Sequence, residues 1–310
     1  MNLFEYTYDL VRQIPDHHIS TYGAVARALG DIRAARAVGW MMNQNPDPDG
    51  MPCYKIVYSD GALGGFGRGI EDKIRRLRDD NITVKDGKIV DFKTVVFEDF
   101  KTEYPLKKLR QEQIDLSKKV RTRDEFTKIE TVAGIDVAYP KNEFEEACAA
   151  CVTLDYKTKQ LVEEKTVFAT AEFPYIPTYL SYREFPIIKH LVDQLERPPS
   201  LVLFDGNGIL HPYGIGLASH AGVVLDRPAI GVAKNLLVGT VGASIVTIDG
   251  TKRGYAYVSK GAKKPIYISP GHKVSFETSL DVVKKLCIHK IPEPLRKAHT
   301  LAKEHLLKTR

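Results

Sequence analysis

The stretch Leu201–Val224, LVLFDGNGILHPYGIGLASHAGVV, constrains the fold more than any other part of the chain. Leu201–Phe204 is wholly apolar, the mark of a strand covered on both faces. It stops on a carboxylate, Asp205, and Gly206-Asn207-Gly208 then turns the backbone. Glycine takes positive φ without steric cost, so the turn is sharp. His211 follows, then His220 in a small-residue segment suited to a closely packed helix. Open α/β sheets place their chemistry at the C-terminal ends of such strands.

Other elements end on charge in the same way. Thr131–Tyr139 reads as a strand carrying Asp136, and Ala147–Leu154 and Leu161–Ala169 read as a hairpin-like pair. Leu180–Glu184 opens a helix that runs to Leu195. Ala229–Ala233 is a strand ending on Lys234, Arg253–Ser259 and Pro265–Ser269 are further strands, and Gly271-His272 is a loop. Ser279–Ile288 and Leu295–Leu307 are closing helices. Three strands followed by helix–strand alternation predict a mixed α/β sheet of ribonuclease H-like type.

Three acids on three elements, Asp136, Glu184 and Asp205, with no Cys/His cluster beside them, favour Mg²⁺ or Mn²⁺ over Zn²⁺. Phosphodiester hydrolysis near neutral pH needs a nucleophilic hydroxide and relief of charge on phosphate oxygens, and such an ion supplies both. Lys234 and His272 suit transition-state stabilisation and water orientation. In Glu172–Pro177 two prolines stiffen an extended loop, so Tyr175 is held rigidly, as insertion between bases requires.

The first hundred residues have a different pattern. Phe4–Gln13 has helical period, Ser20–Gly23 caps a second helix that stops at Gly30, and Ile32–Gln44 reads as a third. This is a helix-turn-helix outline, but the would-be recognition helix carries small residues around a single cation, Arg36. Such a surface fits close approach to a minor groove better than reading of major-groove base edges. Asp86-Gly87 predicts a hairpin, a wing behind the helices.

Composition adds limits. Residues 1–100 hold 13 basic and 15 acidic side chains, the remainder 32 and 24, so the net charge of +6 resides in the second part and suits a polyanion. No apolar run has membrane-spanning length and no signal-peptide pattern is present, which predicts a cytoplasmic protein without membrane association. The four cysteines form no disulfide framework. Cys148 and Cys151 fall on a strand, pointing to opposite faces, and no second pair completes a zinc site.

Two family resemblances follow from these motifs. Thr21-Tyr22-Gly23, Ala34–Gly39, Asn45-Pro46, Pro52–Val57 and Gly61–Phe66, in that order and spacing, resemble the C-terminal domain of O6-alkylguanine-DNA alkyltransferases. The resemblance implies Cys53 as alkyl acceptor, Arg36 as the finger filling the gap left by a flipped guanine, and Tyr22 as proton donor to the leaving base. It implies that Asn45 braces the active-site turn and Phe66 lines the pocket. A soft thiolate suits displacement at saturated carbon, and the thioether product is stable, so one turnover per molecule is expected. Two departures stand out: the family's histidine after the cysteine is Tyr54, and its relay glutamate falls on Asp80. Tyrosine, with a pKa of about 10, is a poor base near neutrality. The adjacent Lys55 offers a charge that would favour a thiolate.

The blocks GIDVAY, FPYIP with LSYRE, LVLFDGNGILHPYGIGLASH, GVAKNLL and ISPGH resemble endonuclease V, the deoxyinosine endonuclease. This implies Asp136, Glu184 and Asp205 as catalytic metal ligands, Lys234 and His272 as assisting residues, His211 beside the lesion, and Tyr175 as the wedge replacing flipped inosine. Cleavage one phosphodiester beyond the lesion on its 3′ side is implied, and some relatives prefer RNA. The resulting expectation is a monomer with an alkyltransferase-like domain at 1–98, a linker at 99–104 and an endonuclease V domain at 105–310. It would repair double-stranded DNA carrying alkylated guanine or deaminated adenine, with Mg²⁺ for the nuclease and no cofactor for alkyl transfer. The rival expectation is a first domain that only senses the lesion.

Overall fold

The computed structural model describes residues 1–140 and 146–308. They divide into two units, Met1–Gln111 with Glu172–Pro177, and Glu112–Ala171 with Thr178–Arg310.

In the first unit, Asn2 caps α1 (Leu3–Arg12) by accepting from the Phe4 and Glu5 N–H groups. Strand β1 (Ser20–Thr21) leads into α2 (Tyr22–Leu29), where Thr21 Oγ1 accepts from the Ala24 N–H at 2.9 Å and Gly30 stops the helix at φ 107°. The expected helix over Ile32–Gln44 begins instead as a 3₁₀ turn, Ile32–Ala34, before α3 (Ala35–Asn43). Ala37, Val38 and Met41 of α3 are buried while Arg36 is exposed, the division a surface-approaching helix needs.

Strand β2 (Ile56–Val57) pairs in parallel with β1, and α4 (Ile70–Asp79) follows. β3 (Val84–Lys85) and β4 (Lys88–Ile89) form the wing, turned at Asp86 and Gly87 with φ of 50° and 73°. After α5 (Phe92–Val95), the helix α6 (Pro105–Ser117) crosses the division at Gln111. Its first turns pack with the first unit, because Leu106 is buried and Arg110 lies 3.6 Å from Asp31. The segment Glu172–Pro177 also belongs to this unit, anchored by buried Phe173 and Ile176.

The second unit opens with β5 (Thr131–Ala138), β6 (Ala147–Asp155) and β7 (Leu161–Ala169), then α7 (Leu180–Val192), β8 (Leu201–Asp205), α8 (Leu217–Val224) and β9 (Ala229–Ala233). It continues through β10 (Thr240–Gly242), β11 (Ile245–Ile248), β12 (Thr251–Tyr257) and β13 (Ile266–His272) to α9 (Phe276–Leu286) and α10 (Glu293–Lys308). The nine strands form one sheet in the order β10-β11-β12-β13-β9-β8-β5-β6-β7. Strands β5, β8 and β9 run parallel at its centre, and the rest pair antiparallel. This is the mixed α/β architecture expected.

Alternation along β5 positions the chemistry. Ala133, Ile135 and Val137 enter the core shared with α7 and α8. Val132 joins the opposite core with Leu295, so Gly134 and Asp136 face α10 as well. A Cβ on Gly134 would lie 2.2 Å from the Pro294 carbonyl carbon and 2.3 Å from the Leu295 nitrogen. Only glycine lets the start of α10 lie this close to the sheet. Gly134→Ala should therefore cost at least about 1–3 kcal/mol, the range for overpacking, because backbone cannot yield as a side chain does. A shift of the urea midpoint of the full chain measures it, and an unchanged midpoint would contradict this packing.

Candidate active sites

The parallel strands bring the acids together. Asp136 lies near the C-terminal end of β5, Asp205 ends β8, and Lys234 follows β9 directly. Glu184 comes from α7, and all four line a cavity of about 540 Å³. Ligating atoms of Asp136, Asp205 and His299 lie within 4.8 Å of one another. His299 Nδ1 is 2.5 Å from Asp136 Oδ2, and Lys234 Nζ donates to Asp205 Oδ2.

Electrostatics mark this cavity as short of positive charge. Burial, then the neighbouring Asp205 carboxylate, pushes the Asp136 pKa up. Burial, then Asp136 and Asp205, pushes Glu184 well above the usual carboxylate range. Glu184 is open to the cavity yet surrounded by protein, so bulk water screens it little. Burial disfavours the Lys234 charge, but Asp205, Asp136 and Glu184 outweigh it and raise its pKa. A cluster of oxygen ligands with one imidazole, with Lys234 bonded to Asp205 and Lys303 also on the cavity wall, fits a hard divalent cation.

His299 is absent from the sequence-derived site, and His272 does not belong to it. His272 is no loop residue: it ends β13 and pairs with Ala229 at the start of β9, whereas Lys234 follows the end of that strand. At about 3.3 Å per residue the two lie roughly 16 Å apart along the sheet. His272 is instead buried beside Arg121, whose backbone N–H donates to Nδ1 at 3.3 Å, and 3.7 Å from Asp226. His299 takes its place because α10 packs its Leu295–Ala298–Ala302 stripe on the sheet, and the neighbouring position 299 then meets Asp136.

His211 is buried in the turn after β8, its Nδ1 accepting from the Tyr213 N–H at 3.3 Å, and it does not line the acidic cavity. Tyr175 is 58% exposed between its buried neighbours Phe173 and Ile176, the form a rigid projecting ring takes.

In the first unit, Cys53 opens a 3₁₀ turn, Cys53–Lys55, at the wall of a cavity of about 700 Å³. Tyr22, Arg36, Gly39, Tyr58 and Phe66 also line it. Asn45 Nδ2 lies 3.4 Å from Cys53 Sγ and donates to the Asp47 carbonyl at 3.0 Å, so one amide ties the thiol to the preceding loop. The thiol is 4% exposed, and burial raises its pKa against the opposing Asn45 bond and Lys73 charge. Burial, then Tyr58, pushes Tyr22 up to about 12, so it keeps its proton at neutral pH.

Lys55 does not serve the thiol. Its ammonium lies 2.9 Å from Asp80 and donates to the Pro15 carbonyl at 2.9 Å. Asp80 also accepts from the His17 N–H at 2.9 Å. Burial, then Asp80, pushes Tyr54 up to about 12, which leaves it unable to act as a base. Cys148 and Cys151 are separate buried thiols on β6. Among the described residues no helix is long and apolar enough to cross a membrane.

Comparison with known proteins gives the same two parts. Residues 114–300 match the Endonuclease V family, and residues 2–82 match the 6-O-methylguanine DNA methyltransferase DNA-binding domain. A bifunctional methyltransferase/endonuclease of Picrophilus torridus is 38% identical over 299 residues, covering 96% of this chain and 95% of that protein. The catalytic domain of human Endonuclease V is 33% identical with a TM-score of 0.62, covering 67% of this chain and 98% of that one. Endonuclease V of Ciona intestinalis, solved with DNA containing an inosine followed by a ribo-adenosine, is 28% identical with a TM-score of 0.63, over 68% of this chain and 100% of that one.

Proposed function

The chain belongs to the family of bifunctional methyltransferase/endonucleases, and we propose that its two cavities perform two DNA repairs, nicking beside deoxyinosine and removal of alkyl groups from O6 of guanine. The observation that carries the nuclease is the convergence of Asp136, Asp205 and His299 within 4.8 Å, with Glu184 and Lys234 in the same cavity. Asp136, Asp205 and His299 would hold a divalent cation, Mg²⁺ in this reading, and Glu184 would complete the acidic wall. When bound, such an ion neutralises charge on phosphate oxygens and makes water acidic enough to attack near neutral pH.

The chain's own residues supply the rest. Lys234 is 39% exposed, with Asp205 fixing its ammonium where a phosphate oxygen would enter. His299 orients Asp136 through Nδ1. Tyr175 supports lesion recognition, because a projecting aromatic ring between two prolines can occupy the space of a flipped base. Incision would fall at the second phosphodiester on the 3′ side of inosine.

At Cys53, Sγ would form a bond to the alkyl carbon as the carbon–O6 bond breaks, and the departing guanine would take the Tyr22 phenolic proton. Arg36, exposed on a helix of small residues, would fill the stack, and Phe66 would wall the flipped base. This assigns alkyl transfer to 1–98 and nicking to 105–310.

His299→Ala should lower Mg²⁺-dependent nicking of an inosine duplex about ten- to a hundredfold, the range for removing a group that supports a metal site. Its apparent Mn²⁺ affinity, read from Mn²⁺ resonance, should fall in parallel. His272→Ala should leave both within about threefold of the parent, if the fold holds by thermal melt. The reverse pattern would refute this assignment.

A further inference from the structure

One lysine in the first unit is placed where lysines are rarely tolerated. Lys73 shares the inner face of α4 with Leu77, and both are 0% exposed. Its ammonium donates to the Ile56 carbonyl at 2.6 Å and to the Leu63 carbonyl, and lies 3.5 Å from the Gly65 carbonyl. An ammonium has three donors, and all three find oxygen here. Yet among the described residues no carboxylate lies within 4.0 Å of it, so its hydrogen bonds are met while its charge is not neutralised. Burying an ion without a counter-ion costs several kcal/mol, and a methionine at position 73 would fill the same core without that cost.

The carbonyls that hold Lys73 show what it serves. Ile56 lies three residues after Cys53, and Leu63 and Gly65 belong to the loop that walls the Cys53 cavity. The other charged groups around the thiol are committed elsewhere or lie in solvent: Arg27 of α2 and Arg36 of α3 line the same cavity, but Arg27 is paired with Glu98 at 2.6 Å and Arg36 is exposed, where water screens its charge. Tyr8 from α1 and Tyr22 from α2 hold their protons to about 12. Arg76 from α4 is paired with Asp72 at 2.8 Å and Asp49 at 2.6 Å. Lys55 is committed to Asp80.

We infer that Lys73 is the positioning residue that keeps Cys53 reactive, its buried ammonium favouring the thiolate where Tyr54 supplies no base, and its three bonds fixing the pocket loop against the active-site strand. The inference rests on the alkyl-transfer reading of Cys53. In the step concerned the Sγ proton leaves to solvent, Lys73 keeps its own three protons, and no redox change occurs. The interaction is mutual: the Lys73 charge lowers the Cys53 pKa, and the thiolate raises that of Lys73, although burial outweighs it and leaves Lys73 at about 8.

The test uses the full chain and iodoacetamide, with carbamidomethylation of the Cys53 peptide followed by mass spectrometry as a function of pH. Lys73→Met should move the rising limb of the rate–pH profile below pH 8 up by about one unit, lowering the rate at pH 7.5 about tenfold. Lys73→Arg, which keeps the charge, should restore much of it. A folded Lys73→Met protein with an unmoved profile would overturn the inference.

Should Lys73→Met fail to fold, a second variant decides. Lys73→Gln keeps hydrogen-bond donors for the pocket carbonyls without the charge, so the carbamidomethylation rate of Cys53 at pH 7.5 should fall about tenfold. An unchanged rate would overturn the inference equally. Methyl transfer from an alkylated duplex is scored separately. Transfer with an unmoved profile removes Lys73 alone, whereas a moved profile without transfer removes the alkyl-transfer reading and leaves the ion–thiolate pair.

Discussion

Asp205→Ala should reduce Mg²⁺-dependent nicking of an inosine duplex by at least about a thousandfold, equivalent to about 4 kcal/mol of barrier. Duplex affinity measured with Ca²⁺ in place of Mg²⁺ should change less than about threefold, since Asp205 brings no positive charge to DNA. The size of the effect follows from its position. Asp205 belongs to the tight cluster with Asp136 and His299, and it fixes Lys234. Removing it deletes a ligand and releases Lys234 from its ion pair.

The same cluster sets a pH dependence. Asp136 and Glu184 have raised pKa values in the fold, chiefly from burial. The folded state therefore binds more protons than the unfolded one, and stability falls as pH rises from the ordinary carboxylate range, about 4, towards the raised values. A cation reverses that loss only where protons do not compete for the ligands. Added Mn²⁺ should thus raise Tm more at pH 7.5 than at pH 5, and Asp205→Ala should abolish most of the gain. Undiminished nicking, or a Tm gain that persists in the variant, would contradict the metal assignment.

Asp136 was legible because a carboxylate set among apolar residues near the end of a buried strand needs a reason to be there, and Asp205 because it closes an apolar run. Lys234 was legible for the same reason on β9. His299 was not, since nothing in Arg296-Lys297-Ala298-His299 departs from an ordinary helix surface. The available signal was indirect: Gly134 on the same strand face as Asp136 announces close approach by another element, and a helix with a Leu295–Ala298–Ala302 stripe is a candidate for it. His272 misled because a Gly-His pair resembles a turn. In the fold Gly271 allows close contact with the Ala229 carbonyl, 2.6 Å from where a Cβ would lie, and the strand continues.

The hairpin of β10 and β11 was missed because its two-residue turn is Ala243-Ser244. Both have positive φ, 48° and 66°, a conformation normally announced by Asn-Gly. Lys55 misled in another way. Adjacency in sequence to Cys53 suggested electrostatic help, but the 3₁₀ turn sends the two side chains to different partners. Lys73, twenty residues later in sequence, is the cation that the fold returns to the thiol.

Incubation with a duplex carrying O6-methylguanine should add one methyl mass to the Cys53 peptide, in one equivalent per chain, and none to Cys53→Ala. The bond formed is a thioether, so the product should persist and the reaction should stop after a single turnover. Because burial holds the Cys53 pKa above its ordinary value, thiolate is the minor form at pH 7. The sign is therefore fixed: the rate should rise as pH rises, by about tenfold per unit while thiolate remains scarce. The rise should flatten as pH passes about 8, where Lys73 loses the charge that favours the thiolate.

A nucleophile relayed through histidine would saturate nearer pH 6.5, the reference value for imidazole. A rising limb between pH 7 and 8 is therefore the signature of a site with tyrosine at position 54. Tight, alkyl-specific binding with no mass gain at any pH would remove the transfer reaction. The raised thiol and the unhelpful Tyr54 would then describe a lesion sensor, and Asp136, Asp205 and His299 would mark the chain's single reacting site.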